Sequence, residues 1–194
     1  MYNSHMFKRS EISPEIVRLL LDYCPETGEL TWRKRSPCLY LSTKLDPLVG
    51  VRSFNRQFAG KPAFTTIDKK GYKVGGILNY TFKAHRVAWA IAYGQWPRKQ
   101  IDHINRNPSD NRLANLRDCS PLKNNVNKGA EATSVYSKYK GVTFFLRNGR
   151  WSASITRSGK RHFLGYHDTE ESAALAYNKA ARELDGKITF QNAI

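Results

Sequence analysis

Five polar residues in the middle of the chain carry groups suited to hydrolysing a phosphodiester. Asp102 and His103 are adjacent, Asn115 follows at a short interval, and Asn124 and Asn127 come soon after, three apart. Carboxylate and amide oxygens are hard donors that suit Mg²⁺, an ion that keeps most of its waters and takes one or two protein ligands. A neighbouring imidazole can act as general base toward an attacking water. A base that makes hydroxide and a metal that stabilises charge on the leaving oxygen form a minimal phosphodiester hydrolase. By themselves the same residues have blander uses. An Asp-His pair is a common hydrogen-bonding pair, and asparagines on a short helix are ordinary polar surface.

The surrounding pattern supplies elements that can gather these groups. Gln100-Ile101 leads Asp102 and His103 as a short strand, and the polar loop NRNPSDNR, with a turn at Asp110-Asn111, returns the chain. Leu113–Arg117 reads as a second strand. Ser120-Pro121 then caps a short helix with Asn124 and Asn127 on one face. Upstream, residues 11–24 read as an amphipathic helix capped by Ser13, with Ile12, Ile16, Leu19, Leu20 and Tyr23 on its apolar face. Gly28 supplies a bend that opens a strand, and residues 36–70 read as loops and short strands. Gly71–Ile77 and Tyr80–Ala84 form a predicted hairpin turning at Leu78-Asn79. The helix after it, with Val87, Ala88, Ala90, Ile91 and Tyr93 apolar, stops at Gly94 and Pro97. His85, beside Arg86 at the strand–helix junction, could contact DNA, support the site or be a satisfied structural histidine, and the last is favoured.

Composition narrows the class. The chain has 194 residues, 40% of them hydrophobic and 25% charged, which suits one ordinary domain or two small ones. Lys and Arg total 32 against 16 Asp and Glu, a formal net charge of +16, so a polyanion is the expected partner. No apolar run is long enough to cross a membrane, no signal-peptide pattern opens the chain, and no basic amphipathic helix suits a lipid surface. A cytoplasmic location without membrane partners is expected. Cys24, Cys38 and Cys119 show no CxxC spacing, so neither a disulfide framework nor zinc is expected.

The last third differs in character. GAEATSVYS (129–137) reads as a linker. YKGVTFF, RWSASIT and KRHFLGYH alternate as three strands turning at Asn148-Gly149 and Ser158-Gly159, and residues 169–185 form a helix capped by Thr169 and ended by Gly186. Val142, Phe144, Ala153, Ile155 and Leu164 face that helix, whose own inner face is mostly alanine with Tyr177. Lys140, Thr143, Phe145, Arg150, Ser154, Thr156, Arg161 and Phe163 face outward, with a bulge expected at Gly141. Between Lys138 and Arg161 there are seven basic residues and no acidic one. Such a face suits the DNA major groove: Arg forks onto guanine, Thr and aromatics meet thymine methyls, and Lys holds phosphates. Trp151 is expected to pack against the body of the domain. A solvated basic sheet and RNA binding are the rival readings.

Two resemblances sharpen these expectations. DHINRNPSDNRLANLR followed by SPLKNNVNK resembles the HNH endonuclease family, in the phage homing branch that ends in Asn rather than His. PETGELTWRKR and GYKV…AHRVAWAIAYGQWP resemble the N-terminal half of such proteins. The resemblance implies a ββα-metal fold with Asp102 and Asn124 as metal ligands and His103 as general base. Asn115 would brace the loop and orient the His, and Asn127 would touch phosphate or support the site. YKGVTF, GRWSASI, KRHFLGYHDTEESAALAYNKAARELDG and ITFQN resemble the APETALA/ethylene-response-factor DNA-binding domain. That resemblance implies that Lys140, Thr143, Arg150, Ser154, Thr156, Arg161 and Phe163 read DNA. Plant members carry Arg at the positions of Lys140, Thr143 and Thr156 and Trp at that of Phe163, so the base sequence read here is left open.

The expectation is therefore an α+β protein with a nuclease domain over 1–128, a linker over 129–137 and a DNA-binding domain over 138–194. It would hydrolyse double-stranded DNA with Mg²⁺ or Mn²⁺, nicking one strand per event as a monomer; a double-strand break would need a dimer or two events. The alternative is a catalytically inactive, sequence-specific DNA binder.

Overall fold

The computed structural model describes residues 8–37, 46–127, 137–186 and 189–194. Helix and sheet are mixed, and the chain divides into two compact units, Met1–Ser120 and Pro121–Ile194.

In the first unit Ser13 caps α1 (Pro14–Leu20), its hydroxyl accepting from the Ile16 amide at 3.4 Å. The helix expected over 11–24 stops at Leu20, because β1 (Leu21–Tyr23) extends to pair antiparallel with β2 (Leu30–Trp32). Val17 and Leu20 are buried, whereas Leu19, expected on the apolar face, is 49% exposed. The stretch expected to hold only loops and short strands contains α2 (Pro47–Phe58). Asp46 is its cap, accepting from the Leu48 amide at 2.7 Å, with Pro47 at the first helical position. Val and Gly inside the helix lower its intrinsic propensity and hide it from a periodicity reading.

β3 (Pro62–Ala63) joins β2 and β1 in one sheet. β4 (Thr66–Ile67), β5 (Lys73–Ile77) and β6 (Tyr80–Lys83) form another. Leu78 and Asn79 both have positive φ, 49° and 68°, as a two-residue turn of the primed kind requires. α3 (Ala84–Tyr93) follows directly and ends at Gly94, whose φ is 69°. One side of α3 joins the core of Ile12, Val17, Leu20, Ile77 and Val87. Its other side, through Ala88, buries Ile101 of β7 (Gln100–His103) and Leu116 of β8 (Leu116–Cys119). β7 and β8 are antiparallel, and Leu113–Asn115, expected as strand, is a 3₁₀ turn feeding β8.

The second unit begins with α4 (Pro121–Asn127), which follows Ser120 as expected. Its Val126 carbonyl accepts from the Phe190 amide at 3.3 Å and from Lys140 Nζ at 3.4 Å. Of the expected linker, only Ser137 is among the described residues. β9 (Val142–Phe145), β10 (Arg150–Arg157) and β11 (Lys160–His167) form an antiparallel sheet with β10 central. α5 (Glu170–Asp185) is capped by Thr169 and lays Ala173, Ala174, Tyr177 and Ala181 on the sheet. Small side chains let helix and sheet approach closely, and Trp151 packs beside this core. The bulge lies in β11 rather than at Gly141: Ala153 opposes Gly165 and Ser154 opposes Phe163, which leaves Leu164 as the extra residue.

Candidate functional site

β7 is held from both ends of its approach. The Arg86 guanidinium donates to the carbonyls of Pro97 at 3.1 Å and Lys99 at 3.2 Å, just before the strand, and Ile101 anchors it in the core. Strand alternation then sends Asp102 and His103 to opposite faces. Asp102 lies directly across from Arg117 of β8, whose Nε and Nη2 donate to its Oδ2 at 2.8 and 2.5 Å. His103 is 4% exposed, and its Nε2 lies 3.3 Å from Oδ1 of Asn111. His85 meets the His103 ring edge-on at 5.1 Å between centroids, and Tyr72 lies 5.8 Å from it. Burial pushes the His103 pKa below its ordinary value, against the opposing pull of the Asn111 bond, so the ring is neutral at neutral pH.

The loop between the strands is braced from within and without. Asn115 Oδ1 accepts from the Asn105 amide at 2.9 Å, and its Nδ2 donates to Asn105 Oδ1 and the Asp110 carbonyl at 3.0 and 2.8 Å. The Arg112 guanidinium beside Asp110 holds that carboxyl well below the usual carboxylate range. From outside, the Tyr23 hydroxyl donates to the Asn111 carbonyl at 2.8 Å, the Leu113 amide to the Pro25 carbonyl at 2.9 Å, and the Ser109 hydroxyl to the Gly71 carbonyl at 2.7 Å. The N-terminal elements thus fix the loop that carries the partner of His103.

Gly28 marks how close that approach is. Its φ is +75°, and a Cβ there would lie 2.4 Å from the Arg112 nitrogen and 2.5 Å from the Asn111 carbonyl carbon. Gly28→Ala should therefore cost about 2–4 kcal/mol, from left-handed strain plus displaced backbone. Gly60→Ala, with the same φ and open space around its Cβ, is the control and should cost about 1 kcal/mol. Equal thermal shifts for the two variants would refute this account.

His85 makes a second, pH-dependent prediction. It is buried at 5% exposure, and desolvation, aided by His103, depresses its pKa from 6.5 to about 3. The unfolded chain takes up this proton as pH falls through 6.5, and the folded chain only near 3. Stability is therefore complete above about pH 6.5 and is lost progressively between 6.5 and 3, by roughly 2 kcal/mol per site at pH 5. His85→Phe should flatten the loss when urea midpoints at pH 7.5 and pH 5 are compared, and parallel pH slopes would contradict it.

The remaining predicted residues fall as follows. Asn124 is half-buried in α4 and Asn127 is buried at its last position, both in the second unit. Thr143, Arg150, Ser154, Thr156, Arg161 and Phe163 all lie on the sheet face away from α5, as does Phe145. Lys140, expected on that face, precedes β9; its Nζ reaches Val126 O and lies 5.5 Å from the Phe190 ring centroid. Arg150 pairs with Asp168 at 2.8 Å. Ser152 and Tyr166 also face outward and were not singled out from the sequence. Nor were Asn111 and Arg117: Asn111 lies in a polar loop with no local signal, while Arg117 follows only once the β7–β8 register is known.

Among the described residues, no three His, Cys, Asp or Glu side chains are grouped to hold a metal ion. Within the first unit, the donor that suits a hard cation is the Asp102 carboxylate, held in place at Oδ2 by Arg117. No described helix is long and apolar enough to cross a membrane.

The profile of a family described as HNH endonuclease matches residues 82–126, from β6 through α4. An HNH endonuclease of Acanthamoeba polyphaga mimivirus is 35% identical over 130 residues, 66% of this chain and 66% of that protein. Protein 3.8 of Escherichia phage T7 is 32% identical over 107 residues, 55% of this chain and 87% of that protein. An AP2-like ethylene-responsive transcription factor of Arabidopsis thaliana is 47% identical over 60 residues, 29% of this chain but 12% of its own length. With most of the phage protein covered and the strand–loop–strand–helix core matched, the chain belongs to the HNH endonuclease family.

Proposed function

We propose that this nuclease hydrolyses phosphodiester bonds of double-stranded DNA with a divalent metal, nicks one strand per binding event, and finds its site partly through the C-terminal sheet. The observation that carries the reading is His103: a buried imidazole at the end of β7, with its Nε2 3.3 Å from Oδ1 of Asn111. With the proton on Nε2, the basic lone pair is at Nδ1, and that atom takes the proton from the attacking water. Asn115 acts through the loop, holding Asn105 and Asp110 so that Asn111 stays in place. By the resemblance to the family, Asp102 and Asn124 would hold Mg²⁺ or Mn²⁺. When bound, the ion supplies Lewis-acid stabilisation of charge on the phosphate and the leaving 3′ oxygen. Asn127 and His85 support the site rather than react.

The division of labour places the nuclease in 1–128 and the DNA reader in 138–194. Tethering raises the local concentration of DNA at the nuclease, so modest affinities in each part combine. The excess of basic residues along the segment that builds the sheet and the likeness to a plant transcription factor support this reading.

The test is cleavage of supercoiled plasmid and of a random-site duplex library with Mg²⁺, with Mn²⁺ and with EDTA. Open circles that accumulate before linear product, only with metal, are expected. Duplex binding should also weaken steeply with added salt, because phosphate contacts release counterions. An intact library under both metals would remove the enzyme and leave a DNA binder.

A further inference from the structure

We propose, building on the duplex-DNA reading above, that Phe145, Tyr166 and Phe163 form a preassembled ridge that reads thymine C5-methyl groups, so that the recognised DNA is thymine-rich. On a regular strand residues three apart face opposite ways. Phe163 and Tyr166 share the outward face because the pairing slips at Leu164, opposing Gly165 to Ala153 and Phe163 to Ser154. Their rings lie 5.0 Å apart and meet at 65°. Tyr166 also meets Phe145 at 5.5 Å, across Ser152 of the central strand, whose short side chain leaves the rings in contact.

These rings remain open to solvent, Phe145 at 41%, Phe163 at 56% and Tyr166 at 39%. Three aromatics packed in series through Tyr166, on the sheet face away from α5, form an apolar surface with little rotamer entropy left to lose. The surrounding segment carries seven basic residues and no acidic one between Lys138 and Arg161, which selects a polyanion rather than an apolar protein as the occupant.

Within the major groove, the apolar feature that such a surface can meet is the thymine methyl. Phe145 and Phe163 offer no hydrogen bond to a base edge. The outward residues able to fork onto guanine are few. Arg150 is engaged by Asp168, and Arg161 stands opposite Thr156 at the far end of the sheet. The recognised sequence therefore consists of thymines across the middle of the footprint, with a guanine at one end beneath Arg161.

The experiment uses the full chain in EDTA, which suppresses cleavage, to select duplexes from a random pool. Each thymine of the selected site is then replaced by deoxyuridine, which removes only the methyl. A thymine-rich core is expected, with about fourfold weaker binding for each of two or three replacements, the worth of a buried methyl. Phe163→Ala should abolish the uracil penalty at one position and leave the others. A selected site that lacks thymine, or one whose affinity is indifferent to every uracil, would overturn the ridge while leaving DNA recognition intact. Tighter binding of single-stranded DNA than of its duplex would also overturn it, the rings then stacking on bases. Failure to enrich any duplex over random DNA would instead remove the DNA-reading sheet itself.

Discussion

His103→Ala is expected to slow DNA cleavage at least about a hundredfold, and up to about ten-thousandfold, while duplex affinity changes by less than about twofold. The rate range is that of removing a positioned general base. Affinity should hold because His103 is buried, with Asn111, His85 and Tyr72 of the first unit beside its ring. His103→Gln keeps a polar side chain but not a basic nitrogen, so it should be as inactive as alanine. Asn111→Ala separates orientation from basicity. It removes the partner of Nε2 but leaves the imidazole, so it should retain more activity than His103→Ala. The comparison is single-turnover cleavage at saturating metal, with thermal unfolding to show that each variant is folded. A His103→Ala protein that cuts at the parental rate would disprove the role of the imidazole. Equal losses for Asn111→Ala and His103→Ala would mean that the base is useless without its tautomer fixed.

The parts legible in the sequence were those whose cause is local. Ser13-Pro14, Thr169 and the Gly94 stop are capping chemistry confined to a few residues, and the structure places each where the sequence does. The two turns with positive φ, at Leu78-Asn79 and at Ser158-Gly159, also fall where the sequence puts them. What escaped depends on partners distant in the chain. The end of α1 is decided by Leu30–Trp32, which recruits Leu21–Tyr23 into a sheet against their helical periodicity. The bulge in β11 is decided by how that strand pairs with β10, so Tyr166 reads from alternation alone as inward.

The candidate site divides along the same line. Asp102 and His103 are conspicuous as adjacent residue types. By contrast, Asn111 gains its place through Tyr23, far away in sequence, and through a glycine that permits close approach at Gly28. α2 is a different kind of miss: Asp46-Pro47 is local capping chemistry, but the Val and Gly that follow are weak helix formers.

Gly141→Ala should unsettle the second unit more than any other single methyl addition at a glycine in it. Gly141 has φ +76°, and a Cβ there would fall 2.2 Å from Cδ2 of Tyr177 and 2.5 Å from the Ser154 carbonyl oxygen. Neither neighbour can yield cheaply. Tyr177 is 1% exposed at the centre of the helix–sheet core, and the Ser154 amide is itself bonded to the Gly141 carbonyl at 2.8 Å. Left-handed strain of about 1–2 kcal/mol adds to an overpacking cost of about 1–3 kcal/mol. For so small a unit that sum is a large share of the total stability and should lower its melting temperature by roughly 10 °C or more. Gly149→Ala provides the scale: its φ is +63°, but its Cβ would meet nothing within 4 Å, so it carries the strain without the clash. Duplex affinity should fall with Gly141→Ala and hold with Gly149→Ala, because Ser154 and Phe163 sit opposite one another on the strands that Gly141 locks against α5. Calorimetry with a duplex-binding titration decides it. Matching behaviour of the two variants would show that the sheet tolerates a side chain under Tyr177, and that the close packing of α5 is not what holds the outward sheet face in shape.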